Sequence, residues 1–383
     1  MESGSLILEN TDAHYSVLRD RNGNWLQFWY AVRPQEVLPI AVQLNKIAEV
    51  ERALRDNFGI KPQDVALRRF FSSDLISHLP AYQDFKITQP DDFFLSLIDQ
   101  APAPSAKAAL LAMALPNITE RHRDGEVFYF RTSSGVTHIF LQGLVDPNAN
   151  DNTDAEEQTA AIFSLLEKKL EPFGATTEAN VLRTWIYAPN VDADYPGIVR
   201  ARKAHFDKIN LTEKTHYTAS TGIQGSTGNR FARVSMDAYA VTSLNGPRVR
   251  YLSAPEHLGP THVYGVTFER ATAIELGETD FLFISGTASI DVPGNVVHPG
   301  DVVGQTKRTL ENITGLLTAG GFGVEDLSSL IVYLRDPTDF GFVKPVIEAL
   351  VGPLPVIYVK AAVCRPAWLI EIEATAAKLI GLT

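Results

Sequence analysis

The most informative part of the sequence lies near its end, Ala362-Val-Cys-Arg-Pro-Ala-Trp-Leu-Ile-Glu-Ile-Glu-Ala374. From Trp368 to Glu373 apolar and acidic residues alternate, and this period of two predicts a β-strand. Glu371 and Glu373 then share one face of the strand. That face is either solvated at a sheet edge or directed into a site, and this stretch alone leaves both alternatives open.

The composition indicates a folded protein that binds a small molecule. The 383 residues are 45% hydrophobic and 21% charged, which is enough for two packed cores. The formal net charge of -11 disfavours nucleic-acid or membrane partners, because anionic surfaces require concentrated Lys and Arg. An anionic ligand would need a local arginine cluster. We find no targeting segment and no apolar run of transmembrane length, and therefore expect a cytoplasmic protein.

Cysteine and histidine usage predicts no metal site, and we expect no cofactor. Cys364 is the only cysteine, so an intrachain disulfide and a cysteine-based zinc site are excluded. We expect Cys364 to be a small core residue that at most shapes a pocket. The following histidines show no paired ligand spacing: His205, His216, His257, His262 and His298.

The first 120 residues give structural signals and no chemistry. Apolar residues near helical spacing predict a helix over residues 40–58, after Pro39. A hairpin is predicted around Asn22-Gly-Asn24. The stretch Ala106–Leu115 is predicted as a short helix.

From about residue 125 the chain contains one unit twice. Each copy is predicted to run strand, helix, strand, helix, strand. Gln158 matches Gln305 and Tyr187 matches Tyr333, and the two offsets agree within one residue. The order of elements predicts an α+β fold in which each unit is a mixed β-sheet covered on one face by helices.

The two copies end in similar strands. Val234-Ser-Met-Asp-Ala-Tyr-Ala240 aligns with Ile370-Glu-Ile-Glu-Ala-Thr-Ala376, with Ser235 opposite Glu371 and Asp237 opposite Glu373. We predict an N-terminal domain over residues 1–245, with a degenerate unit from about 125, and a C-terminal domain over 246–383. A cleft between the two sheets is the first candidate for a ligand site.

Two further features could bind an anion. Thr218-Ala-Ser-Thr-Gly-Ile-Gln-Gly225 could present backbone N–H groups and the side chains of Ser220 and Thr221 around Gly222, or it could be a turn between strands. Arginine suits two-point binding of carboxylates, and several arginines lie at or near predicted strand ends. These are Arg183, Arg200, Arg202, Arg335 and Arg365.

The second copy resembles the Rid/YjgF superfamily. The residues that carry the resemblance are Ile284-Ser-Gly-Thr-Ala-Ser-Ile290, His298-Pro-Gly-Asp301, Gln305-Thr306, Thr309-Leu-Glu-Asn-Ile313 and the closing Glu-Ile-Glu-Ala. The resemblance implies tandem units of the chorismate-mutase-like type. Imine deaminases of that family hold the substrate carboxylate with an arginine where this chain has Val356, which argues against enamine or imine hydrolysis.

From about residue 245 the chain is also similar to the chorismatases. The likeness lies in Tyr251-Leu-Ser-Ala-Pro-Glu-His257, Tyr264-Gly-Val-Thr-Phe-Glu-Arg270, Tyr333-Leu-Arg-Asp-Pro337 and Pro355–Arg365. It implies that Glu371 protonates the enolpyruvyl ether of chorismate and that pyruvate leaves. A general acid must be protonated near neutral pH, which burial or a neighbouring negative charge can provide.

Chorismate is a dianion, and the resemblance implies a small anionic substrate bound by side chains near the ends of strands. Arg335 is the first candidate for binding a carboxylate and Arg365 the second. The remaining candidates are Tyr333, Tyr264, Arg202, Ser220, Thr221 and Gly222.

Two departures leave the substrate and product open. Chorismatases usually have an aromatic-x-x-Phe-Asn-x-Gly-Arg pattern where this chain has Arg202-Lys-Ala-His-Phe-Asp-Lys-Ile-Asn210. In that family Ala at the Ala288 position indicates hydrolysis, whereas Cys at the Cys364 position indicates hydroxybenzoate formation. The alternatives are a divergent Rid-like enzyme acting on another carboxylated intermediate and a non-catalytic binding protein. Either a monomer or a homotrimer is expected.

Overall fold

The computed structural model describes residues 1–88, 94–242 and 248–381. The predicted domain boundary at 245/246 lies outside the described residues. The described chain contains three six-stranded sheets, formed by residues 1–114, 118–242 and 248–381, which we call units 1, 2 and 3.

The elements of the three units follow one another in the same order, apart from one additional four-residue helix, Thr177–Asn180, in unit 2. Unit 1 contains β1 Glu2–Leu8, β2 Thr11–Arg19, β3 Trp25–Pro34, α1 Ile40–Phe58, β4 Val65–Ser72, α2 Leu75–Thr88, β5 Phe94–Asp99 and β6 Ala108–Ala114. Unit 2 contains β7 Ile118–Asp124, β8 Val127–Thr132, β9 Thr137–Leu144, α3 Ala155–Leu170, α4 Thr177–Asn180, β10 Val181–Ala188, α5 Val191–Lys208, β11 Ala219–Gln224 and β12 Ser235–Thr242. Unit 3 contains β13 Arg248–Leu252, β14 Ala271–Leu276, β15 Thr279–Ala288, α6 Val302–Gly320, β16 Leu327–Leu334, α7 Phe340–Val351, β17 Val356–Lys360 and β18 Ile370–Leu379.

Each sheet has the same topology. In unit 1 the strand order is β1-β2-β3-β6-β4-β5, and units 2 and 3 repeat this order with their own strands. The fourth and fifth strands of each unit pair in parallel, and all other neighbours pair antiparallel. The closing strand of each unit, β6, β12 or β18, therefore lies in the middle of its sheet.

The three sheets meet through the faces that the long helices leave uncovered. One apolar core contains side chains from every unit, among them Trp29, Tyr239 and Phe283. The rings of Tyr239 and Phe283 lie 5.5 Å apart across the contact between units 2 and 3. Ser16 Oγ donates to the carbonyl of Ser328 at 2.6 Å between units 1 and 3. Each unit thus contacts both of the others.

The predicted α+β fold with tandem units is confirmed, and the structure adds a unit that the sequence did not reveal. Residues 1–114 have the topology of the two predicted copies. A shared glutamine in the first turn of the long helix supports the equivalence of the three units. Its side-chain oxygen accepts a backbone N–H from the segment leading into the closing strand, in the pairs Gln43 with Lys107, Gln158 with Arg233 and Gln305 with Leu369.

Two local predictions in unit 1 are confirmed and one is wrong. Helix α1 spans residues 40–58 as predicted and ends at Gly59, whose φ is +64°. The hairpin at Asn22–Asn24 joins β2 and β3. Ala106–Leu115 is not a helix, because residues 108–114 form the buried strand β6 between β3 and β4. Both of its faces are covered, so its apolar run shows no alternation.

Candidate functional site at the interface of units 2 and 3

The two glutamates of the closing strand lie at the contact between units 2 and 3. Glu371 and Glu373 lie on one face of β18, which pairs with β15 on one side and β16 on the other. Their exposed fractions are only 4% and 6%. The acidic face of the strand is therefore directed into an interface.

Glu373 is fully engaged in hydrogen bonds. Its Oε2 atom accepts from Arg183 Nη2 at 2.8 Å, from Thr221 Oγ1 at 2.7 Å and from the Tyr333 hydroxyl at 3.0 Å. Its Oε1 atom accepts from Trp185 Nε1 at 2.8 Å. Three of these four donors belong to unit 2, so Glu373 joins the two units.

Glu371 has a different environment. Within the described chain no group donates a hydrogen bond to its carboxyl, which lies against the backbone of Gly286. A Cβ atom at position 286 would overlap Glu371 Oε1, so the close approach requires glycine. Burial, and then the charge of Glu373, raise the pKa of Glu371 to about 8, although Arg183 and Arg270 act in the opposite direction. At neutral pH most of Glu371 is protonated.

Glu371 faces a cavity between the two units. The cavity encloses about 490 Å³, including its opening to solvent. Helix α5 and strand β11 supply the unit 2 wall, and the segment before β14 supplies much of the opposite wall. The lining residues are Tyr195, Arg202, Ser220, Gly222, Tyr264, Val266, Phe268, Arg270, Gly286, Ala288, Ile290, Cys364, Arg365, Trp368 and Glu371.

Two of the arginines in this cavity are buried and have free donors. Arg202 is 1% exposed, and its Nε donates to Thr267 Oγ1 at 3.2 Å. Arg270 is 5% exposed, and its Nη2 donates to the carbonyl of Gly259 at 2.9 Å. Arg202 Nη2 and Arg270 Nε are buried without an acceptor in the described structure. Unpaired buried guanidinium donors are costly, so both favour an anionic ligand.

Aromatic rings separate the cations along the cavity wall. Guanidinium carbons lie 5.2–6.0 Å from the neighbouring ring centres. Contacts between a guanidinium and an aromatic ring are favourable. The rings also lie between the three guanidinium groups, which would otherwise repel one another. The order along the wall is Arg202, Phe268, Arg270, Tyr264, Arg365 and Trp368.

The structure brings together most of the residues that the sequence singled out. Those that line the cavity are Glu371, Arg202, Ser220, Gly222, Tyr264, Arg365, Ala288 and Cys364. Burial raises the pKa of the Cys364 thiol to about 12, with the charge of Glu371 acting in the same direction. Cys364 is therefore a thiol at neutral pH.

Three predicted binding residues lie outside the cavity lining. Arg335 makes a two-point contact with Asp192, at 2.8 and 3.1 Å, and also donates to the carbonyl of Val363. The hydroxyls of Tyr333 and Thr221 both donate to Glu373. A position near a strand end did not indicate which way these side chains point.

The sequence reasoning missed Arg270, Tyr195 and Phe268 as lining residues. Arg270 and Phe268 belong to the stretch Tyr264–Arg270, which resembles the chorismatases. That resemblance is the signal in the sequence that points to these two residues. Tyr195 packs over Gly222, where a Cβ would approach its ring to 2.8 Å. Nothing in the sequence indicated that contact.

The other two interfaces between units lack the acid. In the closing strands, the residues paired with Phe71, Tyr187 and Tyr333 are Ala109, Ser235 and Glu371, respectively. Two residues further along are Leu111, Asp237 and Glu373. The three interfaces are therefore related in geometry, but only that between units 2 and 3 carries a carboxyl at the Glu371 position.

Two kinds of site have no candidate among the described residues, a metal centre and a membrane-spanning helix. These residues contain no cluster of three or more His, Cys, Asp or Glu side chains suited to a metal ion. None of the described helices has the length and apolar character needed to cross a bilayer.

Comparison with known proteins identifies the family. The family model "Endoribonuclease L-PSP" matches residues 270–378. A RutC family protein from Pyrococcus horikoshii is 35% identical over 128 residues, which cover 33% of this chain and 93% of that protein. The chain belongs to the RutC (Rid/YjgF) family. Its RutC-type sequence is therefore concentrated in unit 3.

Two further comparisons extend beyond unit 3. The 3-hydroxybenzoate synthase of Streptomyces hygroscopicus is 29% identical over 260 residues, covering 62% of this RutC-family chain and 73% of the synthase. The crystal structure of a chorismatase aligns with a TM-score of 0.61 at 22% identity, covering 82% of this chain and 93% of the chorismatase. The predicted resemblance to the chorismatase family is confirmed, and the structural match supports the fold.

Proposed function

We propose that this protein is a chorismatase-like enzyme that releases pyruvate from chorismate or a close analogue, with Glu371 as the general acid. The observation that carries the proposal is a buried carboxyl without a hydrogen-bond donor, facing a cavity that contains two buried arginines with free donors. The similarity to a 3-hydroxybenzoate synthase supports the substrate class.

In the proposed reaction, Glu371 transfers its proton to the terminal methylene carbon of the enolpyruvyl ether. This leaves an oxocarbenium ion at the ether carbon and a carboxylate at Glu371. If water adds to the ion, the resulting hemiketal collapses by breaking the bond between the ether carbon and the ring oxygen, which releases pyruvate; one proton of the water returns to Glu371 and the other goes to the ring oxygen. If a ring hydroxyl reacts instead, it attacks the ring carbon that bears the ether, the bond from that carbon to the ether oxygen breaks, pyruvate leaves with that oxygen, and the hydroxyl proton returns to Glu371. A pKa near 8 keeps Glu371 protonated at neutral pH and still acidic enough to donate.

Arg202 and Arg270 are the proposed binding residues for the two carboxylates of the substrate. They come from different units, so one substrate would contact both sides of the interface. Arg365 is exposed and is proposed to act at the opening of the cavity. Ser220, Gly222 and Tyr264 complete the proposed contacts, and Ala288 and Cys364 shape the pocket in which the intermediate is captured.

The decisive experiment is a pyruvate assay with chorismate. We expect the wild-type protein to release pyruvate at a rate at least about 100-fold above that of the Glu371→Gln variant, the usual size of a general-acid contribution. Equal rates in the two proteins would rule out the proposal. Ligand binding without turnover, undiminished by Glu371→Gln, would instead identify a binding protein.

The arginines allow a second prediction. Arg202→Met and Arg270→Met each remove a charge while keeping most of the side-chain volume, and each is expected to raise KM for chorismate by about 10-fold or more. Arg335→Met is the matched control, because Arg335 binds Asp192 rather than lining the cavity. Steady-state kinetics would measure all three. A larger KM effect at Arg335 than at Arg270 would contradict the assignment.

A further inference from the structure

Glu373 accepts four hydrogen bonds at the interface of units 2 and 3. Its two oxygens accept from a guanidinium, an indole N–H and two hydroxyls. Both oxygens act only as acceptors, and the contact with Arg183 at 2.8 Å is a buried ion pair. Glu373 thus carries a negative charge that is buried and held at a fixed position.

This charge is held close to Glu371. The two residues are separated by one position on β18, and their side chains share a face. Thr221 also joins the two sites, because its hydroxyl donates to Glu373 and accepts the Gly286 N–H at 3.0 Å. Gly286 is the residue against which the Glu371 carboxyl lies.

We propose that Glu373 is a positioning residue for the acid: its carboxylate, which four donors hold on the same strand face, adds to the burial that keeps Glu371 in the protonated form that donates the proton. The proposal rests on the proposed function of Glu371. It assigns different roles to two glutamates that have the same strand face and similar burial. Glu373 would act through Glu371 without contacting the substrate.

The other charged and titratable groups around Glu371 either oppose this effect or remain neutral. Arg183 and Arg270 lower the pKa of Glu371, whereas Glu373 raises it. Burial raises the pKa of Tyr195 far above neutrality and that of Cys364 to about 12, so both are neutral at the pH values concerned. Arg202 and Arg365 add further cations to the cavity lining, and burial also raises the pKa of Tyr264.

A purely structural role for Glu373 is the competing explanation. The equivalent residue Asp237 also accepts several hydrogen bonds, from Arg69, Ser96 and the Gly143 N–H. The residue two positions before it is Ser235, which is not an acid. Such hydrogen bonds therefore join units irrespective of catalysis. The measured quantity must therefore depend on the sign of the charge that a variant removes, and not only on the loss of hydrogen bonds to Glu373.

The test compares two variants that disrupt the hydrogen bonds to Glu373 with opposite changes in charge. Glu373→Gln removes a negative charge and is expected to move the alkaline limb of the kcat profile down by about one pH unit or more. Arg183→Met removes a positive charge and is expected to move it up. Thr221→Val removes a donor without a charge change, and we expect the limb to stay in place.

A second measurement is independent of turnover. Infrared difference spectra of the unliganded protein, recorded across pH, report the protonated carboxyl of Glu371 as the band that Glu371→Gln removes. We expect its midpoint to move in the same opposite directions in Glu373→Gln and Arg183→Met. If chorismate is not a substrate, this titration still tests the pairing. Midpoints that stay fixed, or that move in the same direction in both variants, would overturn it.

Discussion

Replacing Glu371 by glutamine is expected to stabilise the folded protein above pH 8 while leaving its stability below pH 4.5 nearly unchanged. The folded protein holds the Glu371 proton up to about pH 8, whereas the unfolded chain releases it near the ordinary glutamate pKa of 4.5. The folded state therefore binds more protons across this window, and its stability falls as the pH rises. Glutamine does not titrate, so the variant avoids this loss.

The expected gain approaches about 5 kcal/mol above pH 8, because the pKa values of about 8 and 4.5 differ by roughly 3.5 units at about 1.36 kcal/mol each. Urea unfolding of wild type and Glu371→Gln at pH 4.5, 7 and 9 would measure it. Glu373→Gln is the matched control, because it weakens four hydrogen bonds and should destabilise at every pH. A difference between wild type and Glu371→Gln that does not grow with pH would contradict a buried, neutral Glu371.

Local patterns predicted those elements whose two sides have different environments. Helix α1 has one buried face, so its residues Leu44, Ile47, Val50 and Leu54 recur at helical spacing and predict its limits. Strand β18 alternates although both of its faces are buried, because one face carries the apolar residues Ile370 and Ile372 and the other carries the two glutamates at the interface. Strand β6 is covered on both faces, and its alanine-rich run favoured a helix until tertiary packing was known.

The sequence did not reveal unit 1 as a repeat, because its closing strand β6 has no acidic residues at the two positions that correspond to Glu371 and Glu373. At the positions of Glu371 and Glu373, unit 1 has Ala109 and Leu111, so no Glu-Ile-Glu signal is present to align. Gln43 kept its structural role and lies in the first turn of its helix, as Gln158 and Gln305 do. This glutamine is the feature of the sequence that unit 1 shares with units 2 and 3.

The candidate site was predictable to the extent that it depends on one strand. Alternation and the comparison with Ser235 separated Glu371 from Glu373 before any contact was known. The binding residues depend instead on which way long side chains point across an interface, and sequence spacing does not determine this. Two arginines illustrate this: Arg335 binds Asp192 outside the cavity lining, whereas Arg270 lies within the lining.

The interface between units 1 and 2 leads to the last prediction, a loss of about 3–5 kcal/mol of stability on replacing Asp237 by alanine. Arg69 and Asp237 form a buried ion pair at 3.3 Å, with side-chain exposures of 3% and 1%. Truncating Asp237 leaves the Arg69 charge buried without its counter-ion, and removes the acceptor of Ser96 and Gly143. Breaking one partner of a buried pair has a cost of this size.

The interface between units 3 and 1 provides the control, since Leu111 occupies the position of Asp237 there. The double variant Arg69→Met/Asp237→Leu removes both charges and places a leucine at position 237, as unit 1 has at Leu111. We expect it to recover the part of the lost stability that comes from the unpaired Arg69 charge, because well-packed apolar residues often replace a buried pair without loss. The cost of leaving Ser96 and the Gly143 N–H without their acceptor remains. Urea unfolding would measure both variants, and equal destabilisation of the two would show that the pair contributes more than its buried charges.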